Sequence, residues 1–402
     1  MPQTSQEAVN PSPPQTRIAS VDIYRGFVML LMAGEILGFW HLAEAFPNSS
    51  FWRFLAFHQS HVEWTGASLH DMIQPSFTFL VGVVLPYSLS ARTTRGSSFA
   101  SLLKHAIIRS LILICLGIFL RSMHSKQTYF TFEDTLTQIG LGYTFLFLIS
   151  YLPHRGQVVS LILLLAGYWL AFALYTLPGT TFDYNAAGIS PVWEHNFSGL
   201  AAHWNKNTNF AWAFDRRFLN LFPRENPFTN NGGGYSTLSF IPTLGTMILG
   251  LFAGKILKSD YSSPLKIKNF LLIGLILLLA AIALHLTGIN PIVKRIWTPA
   301  WVLFSAGICF WFLAFFYYSA DYRKKKNVFF LFTVIGTNSI AAYVIADGFS
   351  SFIANSLYIH LGQNFDAVFG AAYTTLVKGF LVLIVELLIL LWLFRKKIFI
   401  KI

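Results

Sequence analysis

The sequence predicts an all-α polytopic membrane protein of about ten transmembrane helices, with one long extracytoplasmic loop. Three observations carry that expectation. The chain has 402 residues, 54% of them hydrophobic and only 11% charged, whereas about a quarter of the residues in soluble domains are charged. Apolar runs of about 20 residues, the length that crosses a hydrocarbon layer, recur along the chain. Lys and Arg give a net charge of +12, but they fall in short clusters between those runs. A nucleic-acid partner would call for one continuous basic face, whereas loop clusters follow from membrane topology.

Taken in order, residues 1–19 are polar and Pro-rich. They read as a disordered cytoplasmic tail and not as a cleavable apolar signal. Residues 20–402 read as one transmembrane domain, with spans near 26–46, 71–91, 100–121, 135–152, 157–176, 236–257, 269–288, 298–319, 329–347 and 371–394. Positive loops stay on the cytoplasmic side. The connections holding Arg92, Arg95, Lys104, Arg155, Lys255, Lys258, Lys266, Lys268, the 323–326 run and 395–397 therefore face inward. An even number of spans puts both termini in the cytoplasm, in what reads as a bacterial inner membrane. The segment 58–71 then faces outward, as does the long connection 178–235. That connection is rich in aromatic and amide side chains, including Trp193, Trp204 and Trp212, and reads as a lid. Aromatic rings beside hydrogen-bonding groups suit a sugar. A lid that only packs on the membrane domain remains the alternative. Cys115 and Cys309 lie in apolar runs without the spacing of a metal or redox motif.

The segment 58–71 crowds His58, His61, Glu63, His70 and Asp71 against an apolar helix. Ionisable groups are costly in hydrocarbon and gather where protein or water satisfies them, so the cluster is a candidate site. The same residue types also decorate the headgroup level and cap helix starts. If the segment is helical, His58 lies one turn before His61, a weak metal spacing without a third fixed ligand, and no metal is expected. Glu35 stands inside the first span and needs a partner or an aqueous cavity.

Two stretches, SVDIYRGFVMLLM at the first span and HVEWTGASLHDMIQPSFTFLVGV before the second, carry S-x-D-x-x-R-G and H-x-x-W-x-G-x-x-x-x-D. Together with TLTQIGLGY, LGTMILGLFAGKIL and GTNSIAAYVIAD, they resemble the heparan-alpha-glucosaminide N-acetyltransferase family of transmembrane acyltransferases, over about residues 20–394. The resemblance implies acetyl transfer from cytoplasmic acetyl-CoA to an extracytoplasmic sugar, with His61 at the centre and Asp71 as the matching acidic residue. It places Asn338 and Ser339 near the acyl-donor channel and matches Asp22 and Arg25 to the opening motif. Two departures fall where an acceptor would bind. Glu35 stands near the position where members often have Asn, and GGGYSTLSFIPT replaces an acidic D-P-E-G element.

Acyl transfer needs a group that removes the acceptor's proton as the thioester is attacked, and histidine titrates nearest neutrality. His61 is the candidate, either as that base or as a nucleophile that carries the acetyl group first. Asp71 or Glu63 would fix its tautomer. The expected acceptor contacts are Glu35, Glu63, Trp64 and His58, and the expected donor contacts are Arg25, Asn338 and Ser339. CoA phosphates want Arg or Lys, but membrane topology supplies Arg25, Lys104, Arg109 and Lys255 in any case. The partners expected are membrane lipid, acetyl-CoA and a sugar or glycan, with no nucleic acid; a homodimer is left open. The alternative reading is a transporter or flippase for a sugar or lipid-linked glycan, with the polar cluster as its gate. It would move substrate without consuming acyl-CoA.

Overall fold

The computed structural model describes residues 18–179 and 181–400, and these are helical with no strand among them. The disordered tail expected over 1–19 lies outside the described residues except at its end, where Ala19 already opens a helix. In chain order the helices are α1 (Ala19–Ala33), α2 (Phe39–Ala45), α3 (Ser50–Gln59), α4 (Ile73–Thr93), α5 (Phe99–Ser122), α6 (Thr135–Ser150), α7 (His154–Ala173) and α8 (Phe210–Phe218). After these come α9 (Phe240–Lys258), α10 (Ser263–Leu286), α11 (Pro299–Phe316), α12 (Phe330–Thr337), α13 (Ser339–Gly348), α14 (Ser350–Leu361) and α15 (Thr374–Arg395).

Seven of the helices are long and apolar enough to cross a membrane, and the number is nine if each of two bent pairs counts as one span. The expected tenth, near 135–152, is the 16-residue α6. Two of the expected spans are bent. The first span is broken after a 3-10 turn, Gly34–Leu37, at Gly38, whose φ of +58° suits glycine, and the pair bends by 43°. The second break falls at Asn338 between α12 and α13, with a bend of 70°. Neither break interrupts the run of apolar residues that betrays a span. Helix α14 is a further element in a stretch expected to be a loop.

Packing sorts the helices into an inner and an outer set. Helices α4 and α9 touch along their backbones. A side chain at Gly82 would meet the Met247 carbonyl, at Gly250 that of Phe79, and at Gly254 that of Val83. Small residues at a helix interface permit such approach and are a main source of association in a membrane. Helices α1 and α12 meet in the same way through Gly26 and Gly336. By contrast, α5, α7 and α10 turn Leu111, Phe119, Ile162, Leu163, Ile276 and Leu279 outward. Such exposed apolar faces suit lipid. The stretch between α7 and α9, the expected lid, packs against α7 and the His61 loop through Trp204, Tyr168, Phe172 and Trp64.

Candidate functional site

His61 lies just beyond α3, in the loop that leads to a short 3-10 turn, His70–Met72, at the head of α4. The loop is held by local hydrogen bonds. The Ser68 hydroxyl donates to the Ser60 carbonyl at 2.6 Å, and the Leu69 N–H donates to His58 Nδ1 at 3.2 Å. The fold thereby returns Asp71 to the start of its own loop. Asp71 is fully buried. Its Oδ2 accepts from the backbone N–H groups of Val62 and Ser68, at 3.2 and 3.0 Å, and lies 3.1 Å from the Ser68 hydroxyl oxygen. Its Oδ1 faces His61 Nδ1 at 2.8 Å.

A third group completes the centre. Lys294, in the connection between α10 and α11, is buried and places Nζ 3.1 Å from Asp71 Oδ1 and 3.0 Å from His61 Nδ1. An ammonium and an Nδ1–H both donate to the carboxylate, so His61 carries its proton on Nδ1 and presents the Nε2 lone pair. This assignment rests on the hydrogen-bond network. Burial pushes the His61 pKa below its ordinary 6.5, with the Lys294 charge acting in the same direction and Asp71 against both. Burial also pulls Lys294 down, although Asp71 opposes the fall. An imidazole of this kind is neutral, oriented and basic at neutral pH.

The centre opens into a cavity of about 320 Å³, lined also by Glu35, His70, Arg121, Glu133, Tyr235 and Asp347. The His70 ring lies 4.6 Å from that of His61, and its Nε2 is 3.4 Å from Glu35 Oε2. Glu133 accepts from Asn231 Nδ2 of the lid at 2.7 Å, and burial raises its pKa.

Of the residues singled out by sequence, His61 and Glu35 line this cavity, and Asp71 stands buried behind His61. Trp64 does not line it. The indole is fully buried and donates to the Trp204 carbonyl at 3.2 Å, which anchors the lid. Glu63 points to His195 of the lid at 3.5 Å, and His58 serves its own loop. Arg25 pairs with Asp22 at 3.6 Å, within α1. Asn338 is buried with both ends of its amide engaged, donating to the Ile398 carbonyl at 2.7 Å and accepting from Ile400 N at 3.0 Å. Ser339 opens α13 at the break. Sequence reasoning did not single out Lys294. A lone Lys–Arg pair in the apolar stretch INPIVKRIWTP was the available signal.

Fold and site together define a polytopic membrane protein that holds a histidine–carboxylate–ammonium centre beside a cavity. No protein-family model matches the chain. It is a distant relative of two curated enzymes. It is 25% identical over 381 residues to the Homo sapiens heparan-alpha-glucosaminide N-acetyltransferase, covering 84% of this chain and 53% of that protein. It is 23% identical over 384 residues to the Mus musculus protein of the same name, covering 85% and 54%. The chain thus spans about half the length of the curated relatives it matches. The resemblance carried by the motifs extends to most of the chain.

Proposed function

We propose that this protein is a membrane-embedded acyltransferase that moves an acetyl group from cytoplasmic acetyl-CoA to an extracytoplasmic sugar amine or hydroxyl. The reading rests on one observation: His61 is locked through Nδ1 to a buried Asp71, with Nε2 left as the base. The two relatives, named as N-acetyltransferases, supply the reaction class. In the direct route, His61 Nε2 takes the proton from the acceptor as its nitrogen or oxygen attacks the thioester carbonyl. The new acyl bond forms, the C–S bond breaks, and the thiolate leaves and takes up that proton as free CoA. Proton transfer by a positioned side chain is worth about 10² to 10⁴ in rate. In a two-step route the same Nε2 would attack first, and the orientation by Asp71 would serve it equally.

In this reading the lid end faces outward and the acceptor arrives there. The donor approaches from the other end, along α1 and the break between α12 and α13. Irregular backbone at membrane depth is tolerated where it is buried in protein or lines a cavity, which suits a donor path. Ser339 and Arg25 are candidates for contact on that path, and Asn338 would act by holding the 398–400 segment.

The test is release of free CoA thiol from acetyl-CoA by purified protein across a panel of amino and neutral sugars. Acceptor-dependent release that disappears in His61→Ala, with thermal stability retained, is the expected result. Undiminished release by that variant would remove His61 from the chemistry. Sugar movement with no release from any acceptor would point to transport instead.

A further inference from the structure

Helix α8 carries apolar side chains on two sides. Ala211, Trp212, Asp215 and Leu219 are buried on one of them, where the Asp215 carboxylate accepts from Thr237 N. The other side carries Phe210, Ala213, Phe214, Arg217, Phe218 and, just past the helix end, Leu221. Their spacings of three and four residues set them on one face. None of the six is buried, and Leu221 is 78% exposed. Together with Tyr175 and Arg216 they line a cavity of about 650 Å³. A helix that faces water carries polar residues on its outer side. This one carries three phenylalanines.

The position of α8 indicates what covers that face. Phe210 meets Phe172 and Tyr175, with ring centroids 6.1 Å apart in each pair, which sets the start of α8 against the last turn of α7. The outward side of α7 is apolar at Ile162, Leu163 and Leu170, and it continues beyond the helix at Leu174 and Leu177, all of them exposed. The stripe on α8 therefore adjoins, through Tyr175, a surface already suited to lipid at the end of a span.

Charge indicates which lipid. Arg216 and Arg217 are exposed, and none of the lining residues is acidic. The Arg216 guanidinium lies 4.9 Å from the centre of the Trp212 ring, and neither guanidinium makes an ion pair or hydrogen bond with a described residue. A sugar would need neutral hydrogen-bonding groups, and the wall supplies few. The Trp212 indole already donates to the Thr229 carbonyl at 2.9 Å, which leaves the Tyr175 hydroxyl. Apolar rings with flanking arginines are the composition of a helix that lies in the plane of a membrane interface, and a guanidinium pairs well with a phosphate.

We propose that α8 is an interfacial helix that binds anionic phospholipid in the leaflet at the end of α7. Phe210, Phe214, Phe218 and Leu221 rest on the upper acyl chains, and Arg216 and Arg217 hold the phosphodiester. The inference is independent of acyl transfer.

Hydrogen exchange of the full chain in nanodiscs reads residues 210–221 directly. Wild type in phosphatidylcholine is compared with wild type in mixtures containing phosphatidylglycerol, and with two double variants, Arg216→Gln with Arg217→Gln and Arg216→Lys with Arg217→Lys. Phosphatidylglycerol should slow exchange across 210–221 in wild type. The half-effect should come at about a tenfold lower mole fraction than in the Gln pair. The Lys pair keeps the charge and should keep most of the effect, and added salt should weaken it. Equal exchange in wild type with and without phosphatidylglycerol overturns the proposal, and so does protection that survives in the Gln pair. If the Gln pair fails to match the wild-type Tm in phosphatidylcholine, the wild-type comparison and its salt dependence still decide. Soluble glycerophosphoglycerol or an amino sugar that protects 210–221 in phosphatidylcholine would assign the cavity to a free anion or a glycan and overturn the lipid assignment.

Discussion

Replacing Asp71 by Asn keeps the shape of the buried side chain and changes what it asks of its neighbours. The Oδ2 position accepts two backbone hydrogen bonds, from Val62 N and Ser68 N. The amide oxygen belongs there, and the NH₂ is left at the Oδ1 position, facing His61 Nδ1 and Lys294 Nζ. His61 must then accept at Nδ1, its proton moves to Nε2, and the base is lost from the cavity. The loss of a correctly held tautomer predicts a fall in kcat/KM of about 10³-fold or more, or about 4 kcal/mol of transition-state stabilisation. A second effect is separate. Lys294 is left buried without its anion, and breaking a buried pair typically destabilises by about 3–5 kcal/mol, less whatever Lys294 recovers by losing its proton. The double variant Asp71→Asn with Lys294→Met separates the two effects, because it removes the stranded charge without restoring the tautomer. Thermal unfolding in detergent should show a lowered Tm for the single variant and substantial recovery for the double. CoA release should stay low in both. If activity returned together with stability, Asp71 would serve only to neutralise Lys294, and the argument from the tautomer would be wrong.

Two pH predictions accompany this one. Because burial and Lys294 hold the His61 pKa below 6.5, the acid limb of kcat/KM should have its midpoint below that value, and Lys294→Met should move it upward. A limb at or above 6.5 in wild type would contradict the assigned environment. In the lid, burial pushes Asp215 up to about 7 from an ordinary 3.8. Its Oδ2 accepts from Thr237 N at 2.9 Å, while Oδ1 is buried without a partner. A raised carboxyl binds its proton more tightly in the folded state, so stability is lost as pH rises from the unfolded value toward the folded one. Between pH 6 and 8 the loss should be about 1 kcal/mol, read as a falling Tm that flattens in Asp215→Asn. An unchanged slope in that variant would remove Asp215 as the cause.

The parts of the molecule legible in the sequence are those governed by local rules. Long apolar runs locate α4, α5, α7, α9, α10, α11 and α15, because hydrocarbon thickness fixes how many residues a span needs. The pairing of His61 with Asp71 was within reach for a similar reason, since ten residues of chain can loop back on themselves. What escaped depends on approach between distant segments. Lys294 reaches Asp71 across 223 residues, and no periodicity in either segment announces the other. The lid's aromatic residues were open to two uses. In the structure Trp204 is buried with Trp64, Tyr168 and Phe172 in one core, and Trp212 packs with Ala187 and Ile189 in another. Their surface is spent on holding the lid to α7 and to the His61 loop, and Tyr235 is the aromatic residue beyond the membrane helices that reaches the cavity wall.

The short connection between α10 and α11 holds in place the loop that carries His61. Thr65 and Val293 form a single antiparallel bridge, and Gly66 N donates to the Ile292 carbonyl at 3.2 Å. Directly after that bridge, Lys294 turns to Asp71 and His61. Arg295 turns to the Val62 carbonyl, 3.0 Å from Nη2, and to the Gly233 carbonyl of the lid, 3.1 Å from Nη1. Adjacent residues thus engage the His61 and Asp71 side chains and the backbone that carries them. The Thr298 hydroxyl then caps α11 at Trp301 N and accepts from Val293 N, tying the connection to a helix inside the bundle. A loop fixed on both sides loses little further entropy when a substrate binds. Positional tolerance at a reacting centre is narrow, which favours such support from outside the site. Two neighbouring basic residues that positive-inside counting treats as equivalent therefore have different structural tasks, one holding the charge of the centre and the other its position.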